Sequence, residues 1–165
     1  MRTRALIQFC DWLENTPVSE TIQTVKWIVP SVQTIHILAI AAVMGSMLMI
    51  NLRLLGVIGR NQPLKDYSQR FVPVIWCGLP VLLLTGAVMV IGEPARSLAN
   101  WVFQMKMLLV IAAATLTFVF QRPLKRDAAY WSESRGRRTT AVLLALVSLA
   151  IWTAIVFAGR WIAYI

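Results

Sequence analysis

The polarity pattern divides the chain into four long apolar segments joined by short polar ones. The apolar segments cover residues 27–52, 71–92, 101–120 and 141–163, and none of them contains an acidic residue. A transmembrane α-helix needs about 20 predominantly apolar residues to cross the hydrocarbon core of a bilayer. The pattern therefore predicts an all-α fold, an integral membrane four-helix bundle, in which residues 1–165 form a single transmembrane domain.

Residues 3–26 have a different pattern, which predicts short helices at the membrane interface. Four apolar residues recur there at helical spacing: Leu6, Phe9, Cys10 and Leu13. This spacing predicts one apolar face on a short amphipathic N-terminal helix. Such a helix either lies on the membrane surface or packs over the mouth of the bundle, and the pattern is typical of both. Thr16, which precedes a proline, predicts the N-cap of a second short helix.

The fourth apolar segment carries small residues at regular spacing. Ala150, Ala154 and Ala158 follow each other at intervals of four residues. A ridge of small side chains lets another helix approach closely in a membrane. We therefore expect this face of the fourth span to pack against a neighbouring helix.

The basic residues are distributed unequally between the two ends of the predicted bundle. The two loops at one end carry ten of them: Arg53, Arg60, Lys65, Arg70, Arg122, Lys125, Arg126, Arg135, Arg137 and Arg138. The opposite end carries five: Arg2, Arg4, Lys26, Arg96 and Arg160. The positive-inside rule places the richer loops in the cytoplasm and both termini of this multi-pass protein outside. The net charge of +9 fits a lipid bilayer with anionic headgroups, so no nucleic-acid partner is expected.

Overall composition agrees with a membrane protein and excludes several other classes. Hydrophobic residues make up 58% of the chain, which is typical of integral membrane proteins. The two cysteines, Cys10 and Cys77, lie in different segments and form no CxxC motif. We therefore expect two unpaired thiols and no disulfide framework or zinc site. We also expect no cleavable signal peptide, because Asp11 and Glu14 interrupt the apolar run near the N-terminus.

His36 is the only histidine in the chain. It follows Trp27 by nine residues, which places it about 13 Å below that residue at helical rise, close to mid-bilayer. Ionisable groups at that depth usually face the interior of a bundle. An imidazole there either forms a hydrogen bond between helices or ligates a metal or a haem iron.

Other polar and sulfur-containing side chains surround His36 in the predicted bundle. Lys106 lies about 7.5 Å inside the third span, so its ammonium either snorkels to the interface or pairs with an anion. Gln33 precedes His36 by one turn on a similar face. Six methionines lie in the spans: Met44, Met47, Met49, Met89, Met105 and Met107. Thioethers suit copper(I), although methionine is also a common packing residue, and we favour packing for most of the six.

Two stretches of sequence resemble a known group of proteins. The first span with its continuation, IHILAIAAVMGSMLMINLRLLG, and the start of the third span, WVFQMKMLLVI, resemble four-span bacterial membrane proteins related to HemJ-type protoporphyrinogen oxidase and to copper-resistance D (CopD) membrane domains. The resemblance covers roughly residues 27–120. It implies haem b binding at His36, a functional role for Lys106, and a place in the bacterial inner (cytoplasmic) membrane. The chain departs from these families because it has no second histidine.

Two functional hypotheses stay open from the sequence. In the first, a redox membrane protein binds haem b through His36, and one of the cations Lys106, Arg96, Lys26 or Arg160 pairs with its propionates. The second axial ligand would be a methionine, the His36 of the other chain in a homodimer, or absent. In the second hypothesis, the chain is a non-catalytic membrane component. It is then either a copper or small-solute permease-like protein, or a partner subunit for a periplasmic protein.

Overall fold

A computed structural model describes residues 2–59, 64–98, 100–126, 130–131 and 134–161. Within these ranges the chain forms helices and no β-strand, which confirms the predicted all-α class. The helices are α1 (Arg2–Glu14), α2 (Pro17–Thr24), α3 (Ile28–Leu54), α4 (Leu64–Gly92), α5 (Pro94–Leu98), α6 (Trp101–Arg126) and α7 (Arg135–Trp161). Four helices, α3, α4, α6 and α7, are long and apolar enough to cross a membrane. The chain is thus a multi-pass membrane protein built as a helical bundle.

Helix α3 lies at the centre of the bundle. It packs against α4 on one side and against α7 on the other, and α6 packs mainly against α7. Among the described residues, α3 and α6 make no close backbone contact. Val43 of α3 and Ile75 of α4 are fully buried in the shared core, whereas side chains such as Leu83 and Phe157 are largely exposed around the outside. Such an apolar exterior on long helices is the surface that a lipid bilayer covers.

The contact between α3 and α4 depends on one glycine. A Cβ atom at Gly78 would collide with the side chain of Val43 and would also lie 4.0 Å from the carbonyl oxygen of Ala39. Val43 is fully buried and β-branched, so its side chain has little freedom to move aside. Gly78 therefore permits the close approach of the two helices, as small residues commonly do in membranes.

A glycine cap ends α3. The N–H of Gly56 donates to the carbonyl of Arg53 at 3.1 Å, and the N–H of Val57 donates to the carbonyl of Leu52 at 3.0 Å. Gly56 has a φ of 73°, which a glycine adopts without steric cost. These two bonds form a Schellman motif. The end of the NLRLLG stretch therefore has a structural role in stopping the helix.

Helices α1, α2 and α5 cover one end of the bundle, which we call the terminal end; the opposite end, with the α3–α4 and α6–α7 connections, is the loop end. Thr16 caps α2 as predicted, because its hydroxyl accepts a hydrogen bond from the N–H of Ser19. Ser19 in turn donates to the carbonyl of Ile91 at 2.8 Å, and Gln23 donates to that of Gly92 at 2.9 Å. Helix α2 thereby satisfies carbonyls at the C-terminus of α4 that the helix itself leaves unpaired.

The structure corrects the predicted apolar face of α1. Cys10 is 1% exposed and α1 packs against α5, so this helix does lie over the bundle mouth. Phe9, however, is 49% exposed and lies beside Trp12, which is 64% exposed. The helix is apolar on two sides, and the spacing of its apolar residues did not separate the side that packs from the side that does not. Both Cys10 and Cys77 are free thiols, as expected.

The predicted alanine ridge on the fourth span is also corrected. Ala150 and Ala154 are exposed, and the packed face of α7 is formed instead by Ala141, Ala145, Ser148, Trp152 and Ile155. This face is offset around the helix from the ridge. The predicted end of the fourth span, residues 162–163, and the predicted loop cation Arg60 lie outside the described residues.

Candidate functional site

His36 is held in place by one hydrogen bond to α4. Its Nδ1 lies 2.6 Å from the Oγ1 of Thr85. The Thr85 hydroxyl donates its single hydrogen to the carbonyl of Val81, also at 2.6 Å. The Thr85 oxygen can therefore only accept from His36, so the Nδ1–H of the imidazole is the donor. In the neutral imidazole this leaves the lone pair on Nε2.

The other ring nitrogen of His36 is available. Within the described ranges, Nε2 has no hydrogen-bond partner. Gly86 borders the ring, and a Cβ atom there would lie 3.7 Å from the Cε1 of His36. The arrangement is the one found around metal-ligating histidines, where a second group holds one ring nitrogen so that the other can bind.

Lys106 presents a cation from α6 in the same half of the bundle. Its side chain is half-buried beside Gly159 of α7, and a Cβ atom at Gly159 would lie 3.5 Å from its Nζ. In the part of the chain that the structure describes, Nζ has neither a hydrogen-bond partner nor an ion-pair partner. A partly buried ammonium without a counter-ion is a suitable binding group for an anion.

His36 and Lys106 lie within electrostatic range of each other. The Lys106 ammonium is close enough to His36 to interact with it, although the backbones of α3 and α6 make no close contact in the described residues. Each of the four long helices contributes: His36 from α3, Thr85 and Gly86 from α4, Lys106 from α6 and Gly159 from α7. We call this group of residues the terminal-half site. It combines one available imidazole nitrogen, one cation and two positions without side chains.

The remaining predicted site residues are more exposed than His36 and Lys106. Gln33 is exposed one turn from His36, and no hydrogen bond joins the two in the described structure. Arg96 lies on α5, where its guanidinium donates to the carboxylate of Glu93 at 2.9 Å and is more than half exposed. Lys26 is exposed near the same end. Of the predicted site residues, Lys106 interacts electrostatically with His36, and Gln33 forms no hydrogen bond with it in the described structure.

Sequence reasoning missed three members of the terminal-half site. Thr85 and Gly86 form the only polar interruption of the apolar run LLLTGAV, so this dipeptide was a signal that could have been used. Gly159 gave no such signal, since a lone glycine near the end of a span is common. Its proximity to Lys106 depends on how α6 and α7 pack, which only the structure provides.

A metal site made of protein ligands alone is not supported. The described residues contain no group of three or more His, Cys, Asp or Glu side chains that could hold a metal ion. Met47 is buried in the apolar core, and Met105 is 47% exposed. A haem iron differs from a copper ion here because the porphyrin supplies four of its ligands and the protein needs to supply only one or two.

Comparison with known proteins gives one match. Residues 9–165 match the family described as "Family of unknown function (DUF6644)". The match spans all four long helices and includes His36 and Lys106. No curated protein and no solved structure matches the chain. The resemblance to HemJ-type and CopD proteins stays a prediction.

Proposed function

We propose that this chain, which belongs to the DUF6644 family, is an integral membrane protein that binds haem b through His36 and has a redox role. The observation that carries the proposal is the orientation of His36. Thr85 holds Nδ1 at 2.6 Å, and Nε2 has no partner within the described residues. Nε2 would then hold the iron of the bound haem.

The charge of Lys106 supports a ligand with carboxylates. Haem b has two propionates on one edge, and a carboxylate in an apolar span is strongly disfavoured unless a cation pairs with it. By helical rise from Trp27 and Trp101, Lys106 lies about 6 Å closer to the terminal end than His36. That offset suits a porphyrin held roughly parallel to the helices, with its propionates toward the terminal end.

The packing around the terminal-half site supports a flat apolar ligand. The backbones of α3 and α6 make no close contact in the described residues, and Gly86 and Gly159 carry no side chains beside His36 and Lys106. Neighbouring residues on the spans are mostly Ile, Leu, Val and Met. When bound, haem b supplies one-electron transfer, and the chain's own residues hold it, orient it and neutralise its carboxylates.

Absorption spectra also test how many axial ligands the haem iron has. Because the chain has one histidine, a six-coordinate iron would need a methionine, a second copy of the chain or an exogenous ligand. The oxidised and reduced absorption spectra distinguish five-coordinate, His/Met and bis-His iron. A bis-His spectrum would place a second copy of the chain at the site.

The experiment is expression with haem in excess, followed by purification and an absorption spectrum. We expect a Soret band from the wild-type protein and no band from His36→Ala. Lys106→Met should retain less haem with an unchanged ligand-field spectrum, while Lys26→Met, which removes an exposed cation near the same end, should retain the wild-type amount. Colourless wild-type protein would contradict the proposal and leave the hypothesis of a non-catalytic membrane component.

A further inference from the structure

Two hydrogen bonds between helices lie in the loop half of the bundle, on the other side of the buried Val43. The Nδ2 of Asn51 on α3 donates to the Oγ of Ser148 on α7 at 3.1 Å. The Nε1 of Trp76 on α4 donates to the Oε1 of Gln121 on α6 at 3.0 Å. Each bond joins one pair of helices, and no direct bond joins the two pairs in the described residues.

The bond from Trp76 fixes the orientation of the Gln121 amide. An indole N–H can only donate, so the amide oxygen must face it and the amide nitrogen must face elsewhere. Gln121 is 4% exposed, and its Nε2 has no hydrogen-bond partner among the described residues. An unsatisfied buried donor is costly, most of all in a membrane where no bulk water is at hand.

A small cavity lies beside Gln121. Its volume is about 20 Å³, and its polar lining consists of Gln121, Thr117 and Ser148. A single water needs roughly 10–15 Å³ and two to four polar partners. No charged residue lines the cavity, and the rest of the lining is apolar, so the cavity suits a neutral, water-sized ligand.

The polar groups of the cavity match the hydrogen-bonding needs of water. The Thr117 hydroxyl donates to the carbonyl of Ala113 at 2.8 Å, so its oxygen is left to accept. The Ser148 oxygen accepts from Asn51, so its own hydrogen is left to donate. The amide nitrogen of Gln121 adds a second donor. Two donors and one acceptor are thus grouped around a space of the right size.

We propose that one ordered water molecule binds in this cavity, accepts from Gln121 and Ser148, and donates to Thr117. The water joins the Trp76–Gln121 pair to the Asn51–Ser148 pair. A single hydrogen-bonded network then connects all four spans, α3, α4, α6 and α7, in the loop half of the bundle. This site is independent of haem binding at the terminal end.

The direct test is an experimental structure at a resolution that shows ordered water. We expect a density peak within about 3.2 Å of the Gln121 Nε2 and the Thr117 Oγ1. In Gln121→Met, which puts an apolar methyl group of similar reach in the place of the donor, the peak should disappear. A well-ordered cavity without a peak in the wild-type protein, or a peak unchanged in Gln121→Met, would overturn the proposal.

A second measurement needs no structure. Gln121→Met and Ser148→Ala should each lower the melting temperature, and the double variant should lose clearly less than the sum, since both remove the same bridge. Gln104→Met combined with Ser148→Ala is the matched control, because Gln104 is an exposed glutamine on the same helix, and its effects should add. Additive losses for Gln121 and Ser148 would contradict a shared water.

Discussion

The terminal and loop halves of the bundle differ in how their polar groups are paired. In the loop half, Asn51 and Trp76 each donate to a partner on another span. In the terminal half, Nε2 of His36 and Nζ of Lys106 have no hydrogen-bond partner among the described residues. The same four helices thus carry hydrogen bonds between helices in both halves, and the terminal half also carries an imidazole nitrogen and an ammonium that have no hydrogen-bond partner among the described residues.

Packing follows the same division. Trp131 stacks on Phe120 with ring centroids 5.5 Å apart and donates from Nε1 to the Phe120 carbonyl at 3.3 Å, which covers the loop end. The terminal-half site instead has a glycine beside each of its two functional groups. In a membrane, helices associate through packing and hydrogen bonds because lipid is as apolar as the helix surface. Under the proposed function, the two functional groups beside these glycines are kept for ligand binding and not for helix association.

The largest expected effect comes from breaking the packing that both halves share. Gly78→Ala should destabilise the protein by about 1–3 kcal/mol, because the added Cβ meets the buried Val43. Gly45→Ala is the matched control on α3, where a Cβ would meet nothing within 4 Å. Thermal unfolding in detergent measures both. Equal melting temperatures for the two variants would contradict the assigned role of Gly78.

A smaller effect on stability is expected from filling the terminal-half site. Gly86→Val should lower the free energy of unfolding by less than Gly78→Ala does, because a Cβ at Gly86 would meet only the Cε1 of His36, at a distance of 3.7 Å. Its haem content should nevertheless fall, since the new side chain would lie against the His36 ring. Melting temperature and haem content per chain are the two readouts. A Gly86→Val protein with full haem content would show that the space beside Gly86 is not used.

The sequence predicted how deep the polar residues lie along their spans. It did not predict which residues on neighbouring helices they face. Apolar length predicted the all-α bundle, and the positions of His36 and Lys106 along their spans predicted two ionisable groups near one end. The partner of His36 could not be predicted, because Thr85 is 49 residues away and the pairing register of α3 and α4 comes from packing at Gly78.

The wrong predictions have a common physical cause. Ala150 was placed on a packed face because it is small and recurs at helical spacing, and it is exposed. Phe9 was placed on one apolar face with Cys10, but Phe9 is exposed and Cys10 is buried. In a bundle covered by lipid, apolar residues occupy the outer surface as well as the core, so periodicity does not identify which face packs.

The predicted topology assigns the loop half to the cytoplasm. The substitutions that test this assignment should leave the stability of the protein unchanged. Single cysteines at Lys65 and Ser134, both exposed in the loop regions, should react with a membrane-impermeant reagent only after the membrane is opened. Ser68 is a poor labelling position because it is buried. The background should lack Cys10 and Cys77. Labelling of either cysteine in intact cells would reverse the assignment and place the terminal-half site toward the cytoplasm.

The most direct measurement compares His36→Ala with Asn51→Ala for haem content and melting temperature, side by side with the wild type. We predict that His36→Ala loses haem and, compared with haem-free wild type, also loses about 0.6 kcal/mol of stability, the average for hydrogen bonds between membrane helices, because it removes the bond to Thr85. Asn51→Ala should lose a similar amount of stability, because it removes the bond to Ser148, but should keep its haem per folded chain. Haem retained by His36→Ala, or absent from the wild type, would contradict the account.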